Sequence, residues 1–320
     1  MNYIVLDLEW NQSPNGKELE NPRLPFEIIE IGAVKLNDNK ERIDEFSERI
    51  RPQVYTRLHH RTKQLLKVDF KEYFKARTFL EVISDFFNWC GNEEYKLCTW
   101  GSMDLEELQQ NMDFYHFENP LPKPLYYYDV QKLFSLLYED GKSRKSLAYA
   151  VDFLHLDNSE TFHQAIGDTR YTARIIQQMN LELVKEYDSV DYHRPPLTKD
   201  EEIYVVFRRY SKYVSRIFNS KEEMLKDKTV TTTRCYQCGK ALRKKIRWFP
   251  HNNIYYSLSQ CPLHGYLKGK IRVKKTHDGK YFAIKTLKLI SENDIDVIYQ
   301  KQESIRNKRR IRKRKQKAET

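Results

Sequence analysis

Apolar runs broken by turn residues mark out the chain from its start. Tyr3 to Leu8 is a mostly apolar run ending at Glu9 and Trp10, which predicts a strand. Asn11 to Pro25 carries three prolines and a glycine and predicts a loop. Phe26 to Leu36 and Glu41 to Arg51 predict two more strands, joined through Asn37-Asp38-Asn39 as a hairpin. Phe79, Val82, Ile83, Phe86 and Phe87 recur at helical spacing, Tyr95 to Trp100 reads as a strand, and Leu105, Leu108 and Met112 mark a helix. A short strand at Tyr126 to Val130 precedes helices near 130–138, 145–155 and 165–187. A three-strand meander followed by alternating strands and helices predicts an α/β domain, a mixed sheet with flanking helices, over residues 1–188.

The pattern then changes. Asp191 to Pro196 is a natural linker. Thr198 to Glu201 fits a capping box, and Ile203, Val206, Phe207, Tyr210, Val214 and Ile217 form one apolar helical stripe. Residues 189–229 therefore read as a linker and an amphipathic helix. Residues 230–300 read as a small β-rich domain of short strands around cysteines. The tail over 301–320 has almost no apolar residues and is expected to be disordered when alone.

Charge sharpens this division. The 320 residues have a formal net charge of +11, but residues 1–190 carry −9, 191–300 carry +12 and 301–320 carry +8. An acidic body joined to a basic portion points to nucleic acid, or less well to an anionic membrane, as the partner of the basic part. No apolar run approaches the roughly 18 residues of a membrane span, and no lipidation motif accompanies the charge. Met1 to Ile4 shows no signal-peptide pattern, so a soluble cytoplasmic protein is expected. The five cysteines do not make a disulfide framework, and Cys90 and Cys98 read as core thiols.

Candidate chemistry lies in two places. Asp7 and Glu9, two apart at a strand end, point to one face. Such a pair suits a solvated strand end, or a hard divalent cation between the carboxylates. Asp104 opens a helix, where an acid is ordinarily favoured by the helix dipole. His163 precedes the helix that carries Asp168. In this order the segments Tyr3 to Glu9, Phe26 to Leu36, Thr99 to Asp104 and His163 to Arg174 resemble the motifs of the DEDD, or DnaQ-like, 3′–5′ exonuclease superfamily. The form is the histidine-bearing DEDDh one, nearest the Eri-like and KapD-like branch. The resemblance covers residues 3 to about 180 and implies an RNase H-like fold. It implies that Asp7, Glu9, Asp104 and Asp168 hold two Mg²⁺ or Mn²⁺ ions, with His163 as general base. The implied reaction releases nucleoside 5′-monophosphates from single-stranded 3′ ends, RNA slightly preferred over DNA. A nucleic-acid-binding adaptor with an inactive exonuclease fold is the alternative. The chain departs from the family after Glu9, where Trp10 either stacks on a terminal base or packs the sheet edge, and in His59 to Lys67, which lacks a Gly-Ile pair.

The second place is Cys235-x-x-Cys238-Gly and Cys261-x-x-His264-Gly, two knuckles separated by predicted strands. The pattern resembles a zinc ribbon of Cys₃His type with a closed, structural Zn²⁺ site. His251 or His277 could stand in for His264, though only His264 has knuckle spacing. Arg243, Lys244, Lys245, Arg247, Lys274 and Lys275, interleaved with aromatics, are candidate nucleic-acid contacts. The tail is a flexible electrostatic arm or a nonspecific RNA- or ribosome-contacting segment.

Overall fold

The computed structural model describes residues 1–65, 70–157, 159–252, 254–276 and 278–318. The chain divides into two units, Met1–Arg194 and Pro195–Thr320. Among the described residues no helix is long and apolar enough to cross a membrane.

The first unit contains β1 (Asn2–Gln12), β2 (Phe26–Leu36), β3 (Arg42–Arg49), α1 (His60–Leu65), α2 (Phe79–Cys90), β4 (Tyr95–Thr99), α3 (Met103–Phe114), β5 (Tyr126–Asp129), α4 (Val130–Tyr138), α5 (Leu147–Phe153), α6 (Ala165–Gln178) and β6 (Ser189–Val190). The strands form one mixed sheet in the order β3-β2-β1-β4-β5-β6. β1, β2 and β3 pair antiparallel, while β4 runs parallel to β1 and β5 parallel to β4. This is the expected RNase H-like α/β arrangement. Ile4, Leu6 and Leu8 alternate onto one face of β1 and meet Phe79, Val82, Ile83 and Phe86 of α2 and Leu105, Leu108 and Met112 of α3. Val5, Asp7 and Glu9 fall on the opposite face by the same alternation, where α6 crosses β1 and β2.

That crossing depends on Gly32. A Cβ built there would lie 2.3 Å from the Ala165 carbonyl carbon and 2.4 Å from the Ile166 nitrogen. The start of α6 therefore rests directly on the β2 backbone. Gly167 does the same for the loop before the helix, where a Cβ would lie 2.4 Å from the Thr161 carbonyl oxygen.

Two boundaries in this unit differ from the sequence expectation. β1 continues through Asn11 to Gln12, because Asn11 is fully buried and cross-links the strand to the 55–59 segment. Its amide donates to the Tyr55 and Arg57 carbonyls, and its oxygen accepts from the His59 N–H. The last helix stops at Gln178 rather than near 187, since Met179 turns extended.

The second unit contains β7 (Ile203–Phe207), β8 (Tyr210–Val214), α7 (Lys221–Lys226), α8 (Lys228–Thr231), β9 (Arg243–His251), β10 (Ile254–Cys261), β11 (Gly265–Lys275), β12 (Tyr281–Leu289) and α9 (Glu292–Ala318). Its sheet is antiparallel throughout, in the order β7-β8-β12-β11-β10-β9. One face packs Tyr213, Ile271 and Ala283 against Phe218, Met224 and Val230. On the other, Ile246, Phe249, Tyr256 and Leu258 pack with Ile295 and Ile298 of α9.

The predicted helix over 203–217 is instead the β7–β8 hairpin, turning at Arg208-Arg209. Its segments IYVVF and YSKYV are rich in β-branched and aromatic residues, which suit a pleated surface better than a helix. The expected capping box also fails, because Glu201 accepts instead from the Leu197 N–H at 2.8 Å. The predicted disordered tail is helical within α9, which is anchored by its apolar first turns.

Replacing Gly32 by Ala should force α6 away from β2. A core overpacking of this kind costs about 1–3 kcal/mol, so the urea midpoint of the first unit should fall clearly. An unchanged midpoint would show that the contact gives way freely.

Candidate functional site

The sequence-selected acids come together at the end of β1. β4 pairs with β1 only as far as Val5 and Cys98, so the backbone of Leu8 lies beyond that ladder. Its N–H donates instead to Asp104 Oδ1 at 3.2 Å, which fixes the first turn of α3 beside Asp7 and Glu9. A bulge follows at Glu9/Trp10 and changes the register of β1 against β2. From the other side, α6 brings in Asp168. The His163 N–H donates to Asp168 Oδ2 at 3.1 Å. His163 has a φ of 64°, a left-handed backbone that leaves its side chain exposed just ahead of the helix. Ligand atoms of Glu9, His163 and Asp168 all lie within 4.8 Å of one another.

The electrostatics are those of a cluster of like charges. Burial pushes the Asp7 carboxyl well above its ordinary range, and Asp104, Asp168, Glu9 and Glu30 push it further. Burial, followed by Asp168, Glu30 and Asp104, raises Glu9 to about 8. Asp104 is raised to about 7, chiefly by burial, with its own and the Leu8 N–H holding it back and Asp168 adding to the rise. Asp168 is raised to about 6 by burial, against the opposing effect of His163. The Asp168 Oδ1 atom is buried and has no hydrogen-bond partner. A cation would relieve both the repulsion and this unmet acceptor, so the residues fit a hard divalent ion with oxygen ligands.

Glu30 belongs to this environment and was not singled out from the sequence. It stands opposite Glu9 in the β1–β2 register. Its carboxylate accepts from the Ala165 N–H at 3.3 Å and from the Tyr73 hydroxyl, and Arg49 lies 3.7 Å away. It therefore ties the start of α6 to β2. Only the strand register places it there, although the acid within the run EIIEIGAV was visible. Trp10 is half-buried, its ring 5.8 Å from Phe26, and it packs on the core behind β1. Of the divergent His59 to Lys67 segment, 60–65 forms α1, and Leu66 and Lys67 lie outside the described residues.

In the second unit Cys235, Cys238, Cys261 and His264 gather with ligand atoms within 4.8 Å of one another. Cys235 Sγ and Cys261 Sγ lie 3.5 and 3.6 Å from His264 Nδ1, and Cys238 Sγ lies 3.6 Å from Cys261 Sγ. His264 is thus the histidine of the cluster. His251 sits on β9, and His277 lies outside the described residues. Burial pushes the Cys261 thiol up, but hydrogen bonds from the Leu263 and His264 backbone and the His264 ring bring it down to about 6, favouring the thiolate that binds metal. Arg243, Lys244, Lys245 and Arg247 are exposed on β9, an edge strand, and β10 separates them from Lys274 and Lys275 on β11.

Comparison with known proteins bears on the first unit. The sequence profile of the exonuclease (RNase_T) family matches residues 4–176. The probable 3′–5′ exonuclease KapD of Bacillus subtilis (strain 168) is 32% identical over 117 residues, covering 37% of this chain and 56% of KapD. The 3′–5′ exoribonuclease 1 of Homo sapiens is 26% identical over 166 residues, covering 49% of this chain and 47% of that protein. The chain thus spans about half the length of the curated relatives it matches. Among solved structures, the nuclease domain of 3′hExo, a DEDDh family member bound to rAMP, aligns with a TM-score of 0.49 at 22% identity, over 59% of this chain and 96% of that one. Cell-death related nuclease 4 aligns with a TM-score of 0.49 at 16% identity, over 62% and 73%. The profile match runs over more than half of the chain and takes in Asp7, Glu9, Asp104, His163 and Asp168, so the chain belongs to the exonuclease family.

Proposed function

We propose that the chain is a metal-dependent 3′–5′ exonuclease that releases nucleoside 5′-monophosphates from single-stranded nucleic acid, with RNA preferred over DNA. The observation that carries this reading is the gathering of Asp7, Glu9, Asp104 and Asp168, acids whose burial and proximity raise their proton affinity, with His163 beside them. The preference for RNA rests on the Eri-like resemblance and on the exoribonuclease among the relatives.

Asp7, Glu9, Asp104 and Asp168 would hold two Mg²⁺ or Mn²⁺ ions. When bound, such ions supply charge neutralisation at a scissile phosphate and lower the pKa of a water. The remaining work falls to the protein. His163, exposed beside Glu9 and Asp168, accepts the proton of the attacking water. Its backbone bond to Asp168 couples the position of the base to that of the acid. The Leu8 N–H and Glu30 hold α3 and α6 in place, so the groups are positioned before substrate arrives.

The Cys235, Cys238, Cys261 and His264 cluster would hold a structural zinc ion. Tetrahedral ligation at about 2.3 Å to sulfur and about 2.0 Å to nitrogen sets ligand atoms roughly 3.5–3.8 Å apart, and the three separations of 3.5, 3.6 and 3.6 Å agree with this.

Three outcomes are expected. With Mg²⁺ present, the wild-type chain should shorten a 3′-terminal oligoribonucleotide one nucleotide at a time. Asp7→Asn or Asp168→Asn should abolish the activity, and His163→Ala should lower it by about 10²–10⁴-fold, the usual worth of a general base. Binding without trimming by the wild type would instead make the chain an adaptor with an inactive fold. Second, Mg²⁺ at about 100 times its dissociation constant should stabilise the wild type by about 2.7 kcal/mol, seen as a higher melting temperature. The Asp7→Asn/Asp168→Asn double variant should show no such rise; an equal rise would place the ion elsewhere. Third, elemental analysis should find one zinc per chain. Cys261→Ser should lose it and lower the unfolding temperature, whereas zinc-free wild-type protein with freely titrating thiols would remove the assignment.

A further inference from the structure

The six strands of the second unit have an unusual charge content. They carry twelve Lys and Arg side chains and no Asp or Glu. A surface built only for solubility mixes both signs, because like charges in a row repel. The single acid between Lys228 and Ile290 is Asp278, in the β11–β12 turn, where it pairs with Lys280 at 3.0 Å.

On β11 the cations are ordered. Leu267, Gly269 and Ile271 are buried on one side, and Lys268, Lys270 and Arg272 alternate with them onto the other. Gly269 shows how closely the first side is packed, since a Cβ there would lie 2.6 Å from the Trp248 ring. On β10 the register partners of the three cations are Leu258, Tyr256 and Ile254. These apolar side chains belong to the cluster that anchors α9. The row therefore runs beside the footprint of α9, and α9 adds a fourth cation. The ammonium groups of Lys301 and Lys268 lie 4.7 and 5.8 Å from the centre of the Tyr256 ring. Lys270, half-buried in the middle, is pushed down to about 8 by burial and then by Arg272, Lys268 and Lys301. Four cations thus stand close together on this face.

We propose that the row Lys268, Lys270 and Arg272 on β11, closed by Lys301 of α9, is a track that grips the phosphodiester backbone of single-stranded nucleic acid. The proposal deepens the exonuclease reading and rests on it for the class of ligand. Same-face positions on a strand are roughly 7 Å apart, a spacing comparable with that of successive phosphates along an extended single strand. Cations in single file match a polymer of evenly spaced anions better than they match the broad charge field of a lipid surface. Tyr256 is buried beneath two ammonium groups, so the track contacts phosphate and leaves the bases unread.

Equilibrium binding of a labelled oligouridylate tests this in full-length Asp168→Asn protein without added magnesium, so that no trimming occurs. Changing Lys268, Lys270 and Arg272 together to Gln should weaken binding. It should also flatten the slope of log affinity against log salt by about 2, at roughly 0.7 per phosphate contact on a single strand. Changing Arg243, Lys244 and Lys245 to Gln removes the same charge from β9 and should flatten the slope less. Equal effects of the two triples would show a diffuse field and overturn the track. So would a β11 triple that loses affinity for phosphatidylserine vesicles while keeping it for the oligonucleotide. Photo-crosslinking of a 4-thiouridine oligonucleotide to the chain with β11 unaltered needs no charge variant, and its adducts should map to β11 and the start of α9. Adducts confined to β9 or to residues beyond 305 would overturn the proposal. A wild-type chain that fails to trim, yet binds through β11, would defeat the exonuclease reading and leave the track standing.

Discussion

Burial first, and then neighbouring carboxylates, make ionisation of Asp7, Glu9 and Asp104 harder, and the first unit is arranged to keep these acids together with Asp168 nonetheless. They arrive on three supports. β1 carries two, the start of α3 carries the third and the start of α6 the fourth. The supports are locked by contacts that do not involve the reacting groups: Ala165 resting on Gly32, Glu30 holding the Ala165 N–H, and Asn111 of α3 accepting from the Ile28 N–H at 3.1 Å. Without such locks, mutual repulsion would spread the acids apart. With them, the cluster becomes a place where positive charge is strongly favoured, which is what a site for divalent ions requires.

The same logic explains which parts of the site were legible in the sequence. The acids and His163 could be read because the proposed chemistry demands particular residue types in a particular order. Asp7 and Glu9 also obey the period of a strand, so their shared face follows from spacing alone. Glu30, Asn11 and Asn111 could not be read in this way. Their importance comes from register and from buried hydrogen bonds across 44 to 135 positions of sequence. No local pattern encodes such separations. The Cys₃His cluster was legible for the opposite reason, since each half of it is a four-residue knuckle whose geometry is local.

The misread segments have a common cause. Ile203, Val206, Phe207, Tyr210 and Val214 satisfy a helical stripe, yet the strands of the hairpin use a different subset of the same residues. When a short stretch is apolar nearly throughout, both periods fit, and β-branched and aromatic content decides for the strand. The tail was misjudged through composition. Lys, Arg, Gln and Glu are good helix formers, and α9 gains a nucleus once Ile295 and Ile298 are packed with β9 and β10. Charge alone favours a solvated coil over 301–320, because the anchor, Ile295 and Ile298, lies before residue 301.

On the proposed function, charge division also has a kinetic consequence. The first unit, net −9 over residues 1–190, attracts phosphate only where cations occupy its acids. The strands of the second unit carry cations alone, so their attraction is independent of metal and of base identity. The two proposals together assign affinity and chemistry to separate sets of residues with opposite charge requirements. On that proposal a stronger metal site would not tighten the hold on distant phosphates, and a more basic sheet would not change the proton transfer proposed for His163. Salt weakens exposed charges far more than a buried cluster. If both proposals hold, rising ionic strength should release the polymer while leaving the bond-breaking step intact, and the residence time of the strand would set how many nucleotides are removed per encounter.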